Sequence, residues 1–256
     1  NFNLINSNQQ SLDFGDITPK LEKISVKKGL LITFEGGEGV GKSTQSNILC
    51  RQLKKYGIDS IKTQEPGGSM LGNNIRKWIK SSGNISALSE TLLFEAARAQ
   101  IMAEIIIPAL RKNKVVIVDR FIDSTISYQG FGYGLNVETI KKLNKIASKN
   151  ITPDLTILLD IDPEISLSRV SNQTDLFTEE ENNEKRIDSE NQRRFEQSPI
   201  EFHKKVREGY LSISKSEKRW CVINADQKSD KIAKLILDRT KKILIENGVS
   251  ETRLQD

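Results

Sequence analysis

From residue 29 onward the chain alternates short apolar runs with longer amphipathic stretches. The runs at residues 30–34, 58–63, 115–118, 156–160 and 221–223 each carry β-branched residues and are bounded by charged or turn-forming positions, the pattern of strands. The stretches between them, among them 45–56 and 230–246, have helical periodicity. In the last one Ile232, Leu235, Ile236 and Ile243 fall near one face, a stripe suited to covering a sheet. Strands that alternate with helices build parallel βαβ units, and helices on both sides bury such strands on both faces. The pattern therefore predicts an α/β fold: a three-layer sandwich around a five-stranded, doubly wound parallel sheet. Residues 1–28 have neither strand alternation nor a helical stripe and read as a polar N-terminal extension. The folded domain is expected over 29–256.

The 256 residues are 36% hydrophobic and 29% charged, enough to bury one sizeable core. No apolar run approaches the roughly 20 residues of a membrane-crossing helix, so no membrane partner is expected. Cys50 and Cys221 are the only cysteines and form no CxxC pair, which removes a disulfide framework and a thiolate metal site. That usage points to a reducing compartment, the cytoplasm, although the extension leaves targeting open. His203 is the only histidine, so a two-histidine zinc site is excluded. The net charge of +5 suits anionic ligands, but the basic residues are dispersed and interleaved with acids. No nucleic-acid partner is expected.

Gly36, Gly37, Glu38, Gly39, Val40, Gly41, Lys42, Ser43 and Thr44 follow the first strand and satisfy G-x4-G-K-[ST], with a helical stretch behind them. Glycines let successive main-chain amides turn toward phosphate oxygens, and the helix adds the positive end of its dipole. Lys42 would bridge the β and γ phosphates of ATP and Ser43 would hold Mg²⁺. A guanine motif N-K-x-D is missing: Asn113-Lys114 and Asn144-Lys145 are followed by Val115-Val116 and Ile146-Ala147. There is no acidic pair closing a strand as in helicase-type ATPases. Small-molecule kinases remain.

Three further segments accompany the loop: residues 64–69 (Gln-Glu-Pro-Gly-Gly-Ser), residues 93–98 (Leu-Phe-Glu-Ala-Ala-Arg) and residues 119–130, which end Tyr128-Gln129-Gly130. Together with the loop they resemble thymidylate kinases of the bacterial type, from about residue 29 to the C-terminus. The resemblance implies a P-loop NTP hydrolase-like fold with a mobile lid, ATP-dependent phosphorylation of dTMP to dTDP, and a homodimer. Phe94 and Arg98 lie four apart and share a helix face. Spacing alone favours a core ring beside a surface salt-bridging arginine, but the resemblance reverses this and implies that Phe94 stacks on thymine while Arg98 reaches its edge. Arg120 follows a buried strand, where open α/β sheets hold ligands, and is expected to clamp the acceptor phosphate, with Asp119 supporting the metal. By resemblance Thr125 and Gln129 meet the base edge and Tyr128 crowds the sugar. Glu38 then lies near the 3′-hydroxyl, Arg76 on the acceptor side, and Arg169, at a helix end, against ATP. Ala225-Asp226-Gln227 is expected near adenine.

The lid is expected at 175–196, where eight acids and four bases make the segment too polar for a core. Lys185-Arg186-Ile187-Asp188 resembles the family's lid signature, which makes Arg186 the cation expected on the transferring phosphate, with Arg193 and Arg194 as alternatives. Two departures stand out. Gln64 occupies the position of a family arginine, and the lid is longer and more acidic than is usual.

Overall fold

The computed structural model describes residues 26–81, 85–177 and 198–255. Most of the expected lid, including Lys185, Arg186, Arg193 and Arg194, and nearly all of the N-terminal extension lie outside the described residues.

The central strand β1 (Leu30–Glu35) is buried at all six positions. It pairs in parallel with β3 (Val115–Asp119) on one side and β4 (Leu155–Asp160) on the other. Edge strands β2 (Ser60–Gln64) and β5 (Trp220–Asn224) complete a five-stranded parallel sheet in the order β2-β3-β1-β4-β5. The three inner strands are covered on both faces, as their unbroken apolar runs predict. The edge strands differ, since Lys62 is only partly buried and Val222 is 49% exposed.

Alternate side chains along β1 feed two cores, because successive strand residues point to opposite faces. Leu30, Ile32 and Phe34 join Leu49 and Leu53 of α1 (Lys42–Lys55) together with Ile236 and Leu244 of α9 (Ser229–Glu246). Leu31, Val116 and Val118 join Ile101, Met102 and Ile106 on the opposite side. Helices α2 (Met70–Ser81) and α3 (Ala87–Ile101) pack together, and α3 runs through a π-helical turn (Met102–Ile106) into α4 (Ile107–Arg111). After β3, a short α5 (Ile122–Thr125) opens into a second π-helical turn (Ile126–Gly132) before α6 (Val137–Ala147). Helices α7 (Pro163–Phe177) and α8 (Ile200–Ile213) stand between β4 and β5.

One expected core position is corrected. Leu235 is 43% exposed, and the inward stripe of α9 runs through Ile232, Ile236, Thr240 and Leu244. At 100° per residue, steps of four keep one face, whereas Leu235 sits a full 100° from Ile236. At its start the described chain is tied down: Val26 is 2% exposed and the Lys27 amide donates to the Asn247 carbonyl at 3.1 Å. The strand order places the carboxyl ends of β1, β2 and β3 side by side, so the residues leaving them share one rim.

The packing makes a direct prediction. Ile32→Ala should lower unfolding free energy by about 3 kcal/mol in urea titrations, whereas Leu235→Ala should change it by about 0.5 kcal/mol or less.

Candidate active site

The chain leaves β1 at Glu35 and enters α1 at Lys42 through the glycine loop. Gly39 has φ 68° and a Cβ there would run into the Ser166 carbonyl oxygen, so only glycine fits that turn. Gly41 caps α1 with φ 94°, and the first turn of α1 holds no acidic side chain that would compete for its amides. Lys42 folds back, donating from Nζ to the Gly37 carbonyl, and is 7% exposed. Burial, helped by the like charge of Arg120, brings its pKa down to about 8 against the pull of Glu38, Asp119 and Glu35. Ser43 Oγ donates to Asp119 Oδ2 at 2.5 Å, so the two residues expected at a metal meet across 76 positions of sequence.

Above this rim lies a cleft of about 440 Å³. Its walls bring together Glu38, Gly39, Gly41, Lys42, Ser43 and Thr44 from the loop side with Arg76, Phe94, Arg98, Asp119, Arg120, Thr125, Tyr128 and Gln129 from the other. Gly36, Gly37 and Val40 turn instead toward a small void behind the loop. Arg169 is outside the cleft and lies within α7, not at a helix end, because that helix continues to Phe177. It donates to the Ala225 carbonyl at 3.1 Å and to Asp226 Oδ1 at 2.7 Å, joining the two segments expected near ATP.

Arg120 sits immediately beyond β3 in the left-handed region, φ 68°, and its amide donates to the Phe34 carbonyl at 2.9 Å. Its Nη2 donates to Glu38 Oε1 at 2.7 Å and to the Tyr128 hydroxyl at 2.9 Å, and that hydroxyl donates to Glu38 at 2.9 Å. The guanidinium carbon also stands 4.8 Å from the centre of the Tyr128 ring. Burial alone would raise the Glu38 carboxyl, but Arg120 and Lys42 hold it down at about 2. Arg76 approaches from α2 and donates to the Pro66 carbonyl at 3.1 Å.

The other wall is more tightly bound than the sequence implies. Arg98 is 2% exposed and all five of its donors are engaged. Nε reaches Glu65 at 2.7 Å, Nη1 reaches Glu95 and Asn144, and Nη2 reaches the Phe121 carbonyl and Thr125. Any contact from Arg98 to a ring edge must share a donor already in use. Gln129 Nε2 likewise donates to Glu90 at 2.8 Å. Tyr128 and Gln129 lie in the second π-helical turn, where the widened backbone re-aims side chains toward the cleft.

Sequence reasoning missed the carboxylates behind these residues. Glu95 stood three positions before Arg98, a spacing that pairs on a helix, and Glu65 lay inside the 64–69 segment. Asn144 and Tyr210 gave no local signal, because only the tertiary fold brings them to the site.

A phosphate loop facing a wall of arginine and aromatic side chains across one cleft defines a P-loop nucleoside monophosphate kinase: one side suits a donor polyphosphate, the other an acceptor. The thymidylate kinase family profile matches residues 34–236. The thymidylate kinase of Halothermothrix orenii is 40% identical over 224 residues, covering 85% of this chain and 99% of that protein. That of Maridesulfovibrio salexigens is 42% identical over 226 residues, covering 86% and 100%. The crystal structure of thymidylate kinase from Ehrlichia chaffeensis superposes with a TM-score of 0.65 at 30% identity, covering 84% of this chain and 99% of that one. The chain belongs to the thymidylate kinase family, whose reaction is the phosphorylation of dTMP by ATP in dTTP biosynthesis.

Glu65 offers a pH test. Burial lifts its carboxyl from 4.5 to about 7 despite Arg98, and its Oε1 has no hydrogen-bond partner among the described residues. A raised folded-state pKa adds stability that is complete below about pH 4.5 and is lost as pH rises through about 7. The Tm advantage of the wild type over Glu65→Gln should therefore be larger at pH 5 than at pH 8. An advantage that stays level or grows between those pH values would show that Arg98 keeps Glu65 ionised throughout.

Proposed function

We propose that the chain performs this transfer with Lys42 and the loop amides on the ATP phosphates, and with Arg120 and Arg76 on the phosphate of dTMP. The observation that carries the reading is that Lys42 and Arg120 open into the same cleft. Phe94 stacks on thymine, while Arg98, Thr125 and Gln129 bound its edge. Glu38 and Tyr128 bound the sugar, and Arg169 with Ala225 and Asp226 lies toward adenine. The acceptor phosphate is itself the nucleophile, its second pKa being about 6, so no general base is needed. What the residues supply is position and positive charge around a moving phosphoryl group. Lys42, with a pKa of about 8, is cationic at neutral pH, and an incoming phosphate strengthens that state.

Among the described residues there is no group of three or more His, Cys, Asp or Glu able to cage a metal. Ser43 Oγ and Asp119 Oδ2 are hard oxygen donors in contact at the cleft, and they fit Mg²⁺ that arrives with nucleotide and keeps water and phosphate ligands. Bound there, the ion would neutralise charge between adjacent phosphates. Arg186 is the proposed lid cation.

Base selection follows from the walls. A 5-methyl group is worth only about 1–3 kcal/mol in an apolar pocket, so discrimination against dUMP is modest. Tyr128 is held by Glu38 and Arg120 and has little room to retreat from a ribose 2′-hydroxyl. Product analysis with ATP should give rates in the order dTMP, dUMP, then UMP far behind. Lys42→Ala and Arg120→Ala should each lower kcat/KM by about 100-fold or more. ATP binding without dTDP formation would instead make the chain a nucleotide-binding module.

For the assembly we propose a homodimer through α2 and α3. Trp78 is 53% exposed, and Leu88 and Leu92, one helical turn apart, are 52% and 49% exposed, an apolar face that a second copy would cover. Sedimentation should give a dimer for the wild type and a monomer for Leu92→Glu. Two free cysteines, Cys50 and Cys221, suit a reducing compartment, the cytoplasm. No helix among the described residues is long and apolar enough to cross a membrane.

A further inference from the structure

β1 ends in a carboxylate that the reaction scheme does not use. Glu35 is 0% exposed at the last position of the central strand. Its Oε1 accepts the Phe121 amide at 2.8 Å, and its Oε2 accepts the Ser124 hydroxyl at 2.6 Å and the Tyr210 hydroxyl at 2.9 Å. The two hydroxyl oxygens stand 2.8 Å from each other. Arg120 Nη1 reaches both, at 3.3 and 3.4 Å, and the Gly36 carbonyl at 3.2 Å.

The directions of these bonds matter. A hydroxyl has one proton and two lone pairs, so a hydroxyl that donates to Glu35 presents oxygen lone pairs to Arg120. An apolar side chain in place of Glu35 would free those protons to turn toward the guanidinium and repel it. Through Oε1 the same carboxylate grips the peptide immediately after Arg120. That residue has φ 68°, a conformation unfavourable for a side-chain-bearing residue unless its surroundings enforce it. Glu35 thus holds Arg120 from both ends, backbone and guanidinium. It has been kept in an environment that disfavours a charge: burial and the neighbouring Asp123 push its carboxyl up to about 7, against Ser124, Arg120 and the Phe121 amide. Asp123 is itself paired with Arg219 through two contacts of 2.7 and 2.8 Å. On the cleft side Glu35 acts on Lys42 through space only, whereas the hydroxyls of Ser124 and Tyr210 link it to Arg120.

We propose that Glu35 is a positioning residue for Arg120, acting through Ser124, Tyr210 and the Phe121 amide to aim the guanidinium at the acceptor phosphate. This rests on the reading of Arg120 as the acceptor clamp. Three chain segments distant in sequence meet to make the device: the end of β1, the turn after β3, and α8, which contributes Tyr210.

The test is a kinetic cycle on the full chain, with KM for dTMP, KM for ATP and kcat measured for each variant. Glu35→Gln should raise KM for dTMP about tenfold while KM for ATP stays within about twofold, a split that general loosening of the fold would not produce. Tyr210→Phe and Ser124→Ala should shift KM for dTMP in the same direction by less. In an Arg120→Ala background, Glu35→Gln should add nothing further. Equal changes in both KM values, or full multiplication of the Glu35→Gln and Arg120→Ala effects, would overturn the proposal while leaving Arg120 as the clamp. An Arg120→Ala variant with unchanged KM for dTMP would remove the clamp reading and this proposal with it. If Glu35→Gln does not fold by circular dichroism, Tyr210→Phe takes its place in the cycle with the same criteria.

Discussion

Holding several cations in one cleft before any phosphate arrives is the constraint around which this site is organised. Lys42, Arg76 and Arg120 all line the cleft, and two like charges about 4 Å apart in a partly buried setting repel by about 4 kcal/mol. Glu38 answers that repulsion from the tip of the loop, bonding to Arg120 at 2.7 Å while its charge also acts on Lys42. The loop and the wall that carries Arg120 are thereby joined electrostatically as well as by the sheet. On the proposed assignment an incoming phosphate competes with a carboxylate for cations already held in the cleft, which limits how much reorganisation binding must drive.

The opposite wall uses the same chemistry for a different end. Arg98 ties Glu65 beside β2, Glu95 on its own helix, Asn144 on α6 and Thr125 on α5 into one buried knot. Such a knot is weak support for stability, because the desolvation of its charges offsets most of their attraction. Its value lies in geometry: three segments that carry cleft residues, together with α6 behind them, cannot shift independently. The flat surface of Phe94 is presented from this same helix, so the ring inherits the knot's rigidity.

The parts legible in the sequence were those dictated by local rules. β1, β3 and β4 announce themselves because strands buried on both faces need continuous apolar runs, and the glycine loop because its backbone tolerates few other residues. Edge strand β2 was harder to bound, since Lys62 and Gln64 face partly outward and dilute the pattern. Leu235 was misassigned because four apolar residues near one helix face leave the exact inward line undetermined until a sheet is laid against them. Phe94, Arg98, Arg120 and Tyr128 could be nominated one at a time, yet nothing local says that Arg98 would be saturated by protein or that Glu35 would lie beneath Arg120. Those relations, with the Tyr210 bond that completes the second of them, join positions up to 175 apart and exist only once the strands are ordered.

The anchoring of Val26 and Lys27 against the end of α9 fixes the position of the first described residues. They lie at the amino end of β1, while the cleft opens at its carboxyl end, one six-residue strand or about 20 Å away. A surface tether or fluorescent label on the exposed Lys27 would accordingly sit on the side remote from the cleft, which makes this face the natural handle for immobilising the enzyme.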